Sequence, residues 1–230
     1  MEKGLFHELY KRSCELEMGR CPSPALSGFL HGYLSVYSMV RVYPWLEESF
    51  GEPYEIHERV REIARFIEPL AGNKKLPADV RAGYVVDLMD AYQTYSDMDL
   101  LNEALDVAYR ILTVDEKGEI VIPGRTPNVC RLLCSWYYFT GEEWCLEMAK
   151  GIVGDYDNLE KKQAWQWLRA VSCFKNLSED MIFWARWKQE EKEVLGNIIV
   201  SIENIGIVGK ETFCFELLGM WELKGKGFEL

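Results

Sequence analysis

Leu76-Pro77-Ala78-Asp79-Val80-Arg81-Ala82-Gly83-Tyr84-Val85-Val86-Asp87-Leu88-Met89-Asp90-Ala91-Tyr92-Gln93-Thr94-Tyr95-Ser96-Asp97-Met98-Asp99 is the stretch from which the fold is read. Pro77 is suited to the first turn of a helix, where its missing N–H costs nothing. The apolar spacing carries that helix to Tyr95, Ser96 to Asp99 turn the chain, and Leu100 to Leu112 return as a second helix. A unit of the same design follows. Thr126-Pro127-Asn128 opens a helix to Thr140, Gly141-Glu142-Glu143 turn it, and Trp144 to Val153 return. Superimposing the two turns shifts the chain by 45 residues and aligns Leu101 with Leu146, Ala104 with Ala149 and Tyr92 with Tyr137. A further shift of 36 carries Glu142 to Ser178, so the spacing suits helical hairpins with unequal loops rather than a strict solenoid.

Outward from this pair the chain reads as more helix. Residues 2–18 are expected to form a helix with Leu5, Phe6, Leu9 and Leu16 inward, broken by Cys21-Pro22-Ser23-Pro24. A helix from Pro24 to about Val42 follows, then a short turn at Pro44 to Glu48, then an amphipathic helix over 53–70 with Ile56, Val60, Ile63, Ala64 and Ile67 at helical spacing. Asp115 to Arg125, β-prone between Gly and Pro, predicts a small hairpin or extended loop. Helices are expected over about 160–175 and 179–195, with the tail from Asn197 open between helix and strand until a last helix at Glu211 to Leu223. The expected fold is all-α, antiparallel helical hairpins in two layers, over a single domain of 1–230.

Composition bounds the partners. A chain of 230 residues with 48% hydrophobic and 13% aromatic residues has enough apolar surface for a substantial core. A net charge of −11 excludes nucleic acid as the expected partner, since phosphate backbones are bound by basic faces. No apolar run reaches the roughly 20 residues that span a bilayer, and no basic, then apolar, leader opens the chain. Seven cysteines without a CxxC pair read as reduced thiols in a cytoplasmic protein, and no metal site or cofactor is expected. A glycine-containing stretch at Ile205 to Thr212 lacks phosphate-loop spacing, and Asn176-Leu177-Ser178 is discounted as a glycosylation site.

In each hairpin the first helix is apolar nearly all round, whereas the second keeps a wet face; first helices therefore belong inside and second helices outside. Each inner helix keeps one narrow polar stripe at three- and four-residue spacing. The stripes are Ser27, His31, Ser35 and Ser38; Asp87, Asp90 and Thr94, with Gly83 above them; Asn128, Arg131 and Ser135; and Lys162, Gln166 and Arg169. Side by side they would converge on one concave surface. Two readings fit: a ligand surface, or polar groups satisfied by water and by one another.

Ala91 to Leu105 with Asp115 to Glu119, and then Trp136 to Trp144, resemble successive hairpins of the six-hairpin glycosidase-like α/α toroids. That resemblance implies a carbohydrate pocket ringed by loops entering the inner helices. The chain departs from it in having room for four or five hairpins rather than six, an incomplete toroid, and no catalytic motif of the family is carried over onto its residues.

The candidate chemistry follows. Glycoside cleavage needs two carboxyls roughly 5–9.5 Å apart, and Asp87 and Asp90 form an i,i+3 pair, with His31 as a candidate base. Asp79 stands at the helix mouth, where its structural use is to face the helix N-terminus. Arg81, Arg125 and Arg131 would fork onto an anionic sugar, or else pair with Asp79, Asp87 or Glu119. Tyr84, Asn128, Trp165, Gln166 and Arg169 complete the candidate saccharide-binding set, Trp165 by stacking. The expected function is carbohydrate-active or carbohydrate-binding. The competing expectation is a noncatalytic scaffold for protein partners or for homo-oligomerisation, with Phe213, Phe215, Leu217, Leu218 and Trp221 covering an open end.

Overall fold

The computed structural model describes residues 10–11, 13–154 and 164–177. Among these the fold is all-α. Eight helices run in order: α1 (Ser23–Val42), α2 (Glu47–Phe50), α3 (Pro53–Ala71), α4 (Ala78–Tyr95), α5 (Met98–Ile111), α6 (Pro127–Thr140), α7 (Glu143–Gly154) and α8 (Ala164–Leu177). A two-stranded antiparallel ribbon, β1 (Thr113–Val114) and β2 (Ile120–Val121), lies between α5 and α6, where the hairpin or extended loop was expected. The expected helix over 179–195, the tail and its apolar cluster lie outside the described residues. No helix among the described residues is long and apolar enough to cross a membrane.

The chain divides into two compact units. One contains residues 10–70 and Asp90–Ser96, the other Ala71–Met89 and residues 97–154 and 164–177.

In the first unit α3 buries Ile56, Val60, Ile63, Ala64 and Ile67, the stripe its spacing predicts, and α1 buries Phe29, Leu30, Tyr33 and Val36. The N-terminal segment departs from expectation. Helix ends by Cys14 instead of running to residue 18, and Met18, not Leu16, enters the core from a 3₁₀ turn at Met18–Arg20. The cause lies on α3. Arg59 donates to the Ser13 carbonyl at 3.0 Å and to the Leu16 carbonyl, capping chain that would otherwise continue as helix. Burial works against the Arg59 cation, but the Tyr33 hydroxyl and the Glu62 carboxylate outweigh it and raise its pKa. The Tyr33 and Ser13 hydroxyls share a 2.8 Å hydrogen bond, and the Tyr10 hydroxyl donates to the Phe50 carbonyl at 2.8 Å.

In the second unit, the hairpin boundaries follow from local chemistry. Asp97 caps α5 by accepting from the Asp99 and Leu100 N–H groups. Thr126 caps α6 through Val129 N–H, with Pro127 in the first turn. Gly141 ends α6 at φ 73°, the left-handed conformation that glycine adopts without a Cβ penalty. Glu142 then accepts both the Trp136 and Trp144 indole N–H groups and fixes the turn into α7.

The burial contrast within each pair is clear. From Ala82 to Met89 every α4 residue is buried, and α6 is buried from Val129 to Cys134. α5 buries only Leu101, Ala104, Val107, Ala108 and Ile111, and α7 only Cys145, Ala149, Ile152 and Val153. α6 packs on both α7 and α8.

Candidate functional site

The polar stripes are used largely inside the fold. On α4, Asp87 is fully buried, and an Arg131 guanidinium nitrogen lies 3.3 Å from its Oδ1. Arg131 is itself only 3% exposed. One turn earlier the Asn128 side chain lies against Gly83, close enough that a Cβ on Gly83 would fall 3.0 Å from it. Both contacts advance in the same direction along the two helices, so α4 and α6 run parallel with their stripes facing. Close approach at Gly83 and charge pairing at Asp87 are one device: removing the Cβ brings the backbones near enough for a direct buried ion pair. Tyr84, buried on the same helix, has its hydroxyl pKa raised by burial and then by the Asp87 charge, so it stays neutral.

In the other unit His31 is buried on α1, its Nδ1 3.7 Å from Asp90 Oδ2, while the Asp90 side chain keeps 32% of its surface exposed. Ser35 donates to the His31 carbonyl one turn back at 2.9 Å. Asp87 and Asp90, three residues apart on α4, thus have different partners: a guanidinium for the first and an imidazole for the second.

The three arginines, expected near the mouths of two inner helices, are in three places. Arg81 Nε donates to the Ala71 carbonyl at 2.9 Å, satisfying the end of α3. Arg125 is exposed, its guanidinium 3.4 Å from the Cβ position of Gly151 on α7, near the carbonyl end that attracts cations. Arg131 is the buried partner of Asp87. Asp79 occupies the first turn of α4, half-buried, where its charge faces the N-terminal N–H groups. On α8, Arg169 is buried and Gln166 half-buried; the side chain of Trp165 and residue Lys162 lie outside the described residues.

The six cysteines among the described residues are free thiols. Cys134 is pushed well up by its hydrogen bond with Cys130 and by burial, and burial, with Glu142 and Cys134 adding, pushes Cys145 up to about 12. Such thiols stay protonated and serve as small apolar packing groups.

One feature is absent from the sequence expectations. Between α1 and α3 the chain leaves Val42, Tyr43, Trp45 and Tyr54 exposed, with the Tyr43 and Trp45 rings 5.1 Å apart. The signal was present as two aromatic residues astride Pro44, in a turn too short to fold back over them.

Comparison with protein-family models, curated proteins and solved structures finds no match to the chain.

Proposed function

We propose that the chain is a noncatalytic helical-hairpin scaffold that docks a protein partner at the aromatic corner between α1 and α3. The observation that carries this reading is Trp45, 71% exposed beside the Tyr43 ring. Tryptophan and tyrosine dominate binding energy when a partner covers them, and a clustered exposed pair is expensive to leave in water without such a use. The burial of Asp87 and Arg131 supports the same reading, because the stripe's first carboxylate is engaged in holding helices together. The hairpins are then two layers of an incomplete α/α toroid, and the free thiols suit the cytoplasm.

A second reading, a saccharide-binding protein, is favoured by Asp90, whose part-exposed carboxylate beside His31 is suited to sugar hydroxyls. With Asp87 held by Arg131, the carboxylate nearest Asp90 on its helix is engaged in an ion pair, so this reading is one of recognition.

A thermal-shift panel of neutral and uronic saccharides, run beside photo-crosslinking from position 42, exposed beside the aromatic pair, tests the choice. Docking predicts no shift with any saccharide and a discrete protein adduct. A saccharide that raises the melting temperature of the native chain but not of Asp90→Asn would overturn it.

A further inference from the structure

The docking reading leaves the partner's chemistry open, and the charges around the corner address it. Glu47, Glu48, Glu52 and Glu55 are all exposed within the segment that carries Trp45 and Tyr54. Among the described residues, Glu47, Glu48 and Glu52 make no ion pair. Arg41, four residues before Trp45, is set over the Tyr37 ring at 5.5 Å, and Arg59, four residues after Glu55, pairs with Glu62. The corner is therefore an aromatic surface with a negative rim that has no described counter-charge, on a chain of net charge −11.

Resting on the docking reading, we propose that this corner binds a basic polypeptide segment, rich in Lys and Arg with an apolar anchor, whose cations meet the Glu rim and whose side chains cover Tyr43 and Trp45. Two physical terms act together. Guanidinium and ammonium groups are attracted to the faces of Trp and Tyr. Acidic rims raise the encounter rate with basic partners and disfavour others through like-charge contact. The same rim argues against the other occupant that exposed aromatics suggest, a membrane surface, because anionic headgroups would meet four carboxylates first.

The test uses the full chain and two fluorescein-labelled dodecapeptides, one alternating Lys or Arg with Leu, the other with Glu at every charged position. Binding is followed by fluorescence anisotropy at about 0.05 M and about 0.3 M salt, which spans weak to strong screening. The basic peptide is expected to bind, to weaken with salt, and to lose affinity roughly tenfold or more in Glu47→Lys/Glu48→Lys and in Trp45→Ala. These surface positions leave the helical circular dichroism unchanged. If both peptides bind alike and Trp45→Ala abolishes both, the corner is a docking site but the basic-partner inference falls. If neither binds, both readings fall. Binding of phosphatidylcholine/phosphatidylglycerol vesicles in place of the peptide would overturn the inference in favour of a lipid surface. Trp45-dependent self-association by light scattering would overturn it in favour of a second copy of the chain.

Discussion

Replacing Asp87 by alanine removes one half of a buried ion pair and leaves the other half in place. Arg131 is 3% exposed, so its guanidinium cannot turn to water without opening the contact between α4 and α6. Breaking a buried pair from one side costs about 3–5 kcal/mol, most of it the desolvation of the charge left behind. For a chain of this length about 1 kcal/mol moves the melting temperature by about 2–4 °C, so Asp87→Ala is expected to lose about 6–20 °C. Arg131→Met should lose a comparable amount, since it strands the fully buried carboxylate. The double variant Asp87→Leu/Arg131→Met removes both charges and should recover most of the loss, because apolar replacements of a buried pair are often neutral. Urea unfolding followed by circular dichroism of the four proteins closes the double-mutant cycle and yields the coupling directly. Additive losses in the double variant would refute the pairing. A stabilised Asp87→Ala would refute it more sharply, since relief on removing a carboxylate marks a residue held for a ligand at the fold's expense.

Four further outcomes follow from other contacts. Because Cys145 is raised from 9.0 to about 12 in the fold, the unfolded chain loses that proton first; stability should hold through neutral pH and fall between pH 9 and 12, less steeply in Cys145→Ala, as read from urea midpoints across pH. In native protein a thiol reagent at pH 8 (roughly half a unit below an ordinary thiol pKa) should modify exposed Cys14 quickly and spare Cys130, Cys134 and Cys145 until urea is added. Gly83→Ala should fail to deliver the helix-propensity gain of about 1 kcal/mol in the native background, yet deliver it with Asn128→Ala, because the Asn128 side chain is what lies nearest the Cβ position. Arg59→Met should expose residues 10–20 to trypsin at Lys11 and Arg20 while leaving α4 to α7 intact, as limited proteolysis with mass mapping would show.

The parts of this structure legible in the sequence are those set by neighbours along the chain. Thr126-Pro127, Asp97 and Gly141 each mark a helix end through a bond to a residue within four positions. Both ends of α6 lie where the sequence puts them, and α5 starts at Met98, two residues before the expected Leu100, because Asp97 caps it. The burial contrast between α4 and α5 was legible because burial on one side or all round leaves its period in the composition. The N-terminal helix end was not, since Arg59 imposes it from 43–46 positions away. The stripes were legible as faces but not as pairs. Periodicity puts Asp87 and Asp90 on one side of α4; it carries no record of which helix stands opposite, so a guanidinium for one and an imidazole for the other could be read only from the packing. Arg81 shows the same limit at short range. Its partner, the Ala71 carbonyl, is an orphan group at a helix end, and asking where α3 finds its terminal donors would have found it.

Gly83 against Asn128 and Asp87 against Arg131 also constrain how this protein can move and how it can vary. Sliding α4 along α6 by one turn, about 5.4 Å, would push Asn128 off the gap that Gly83 leaves for it and carry both buried charges away from each other. The two contacts act as a notch and a tooth, so motion along this interface is a jump between registers rather than a glide. Length changes are consequently excluded from the two helices. The exposed ribbon Thr113–Val121 leads into α6 without taking part in the notch, and that ribbon is where an inserted epitope or reporter domain would leave the register untouched.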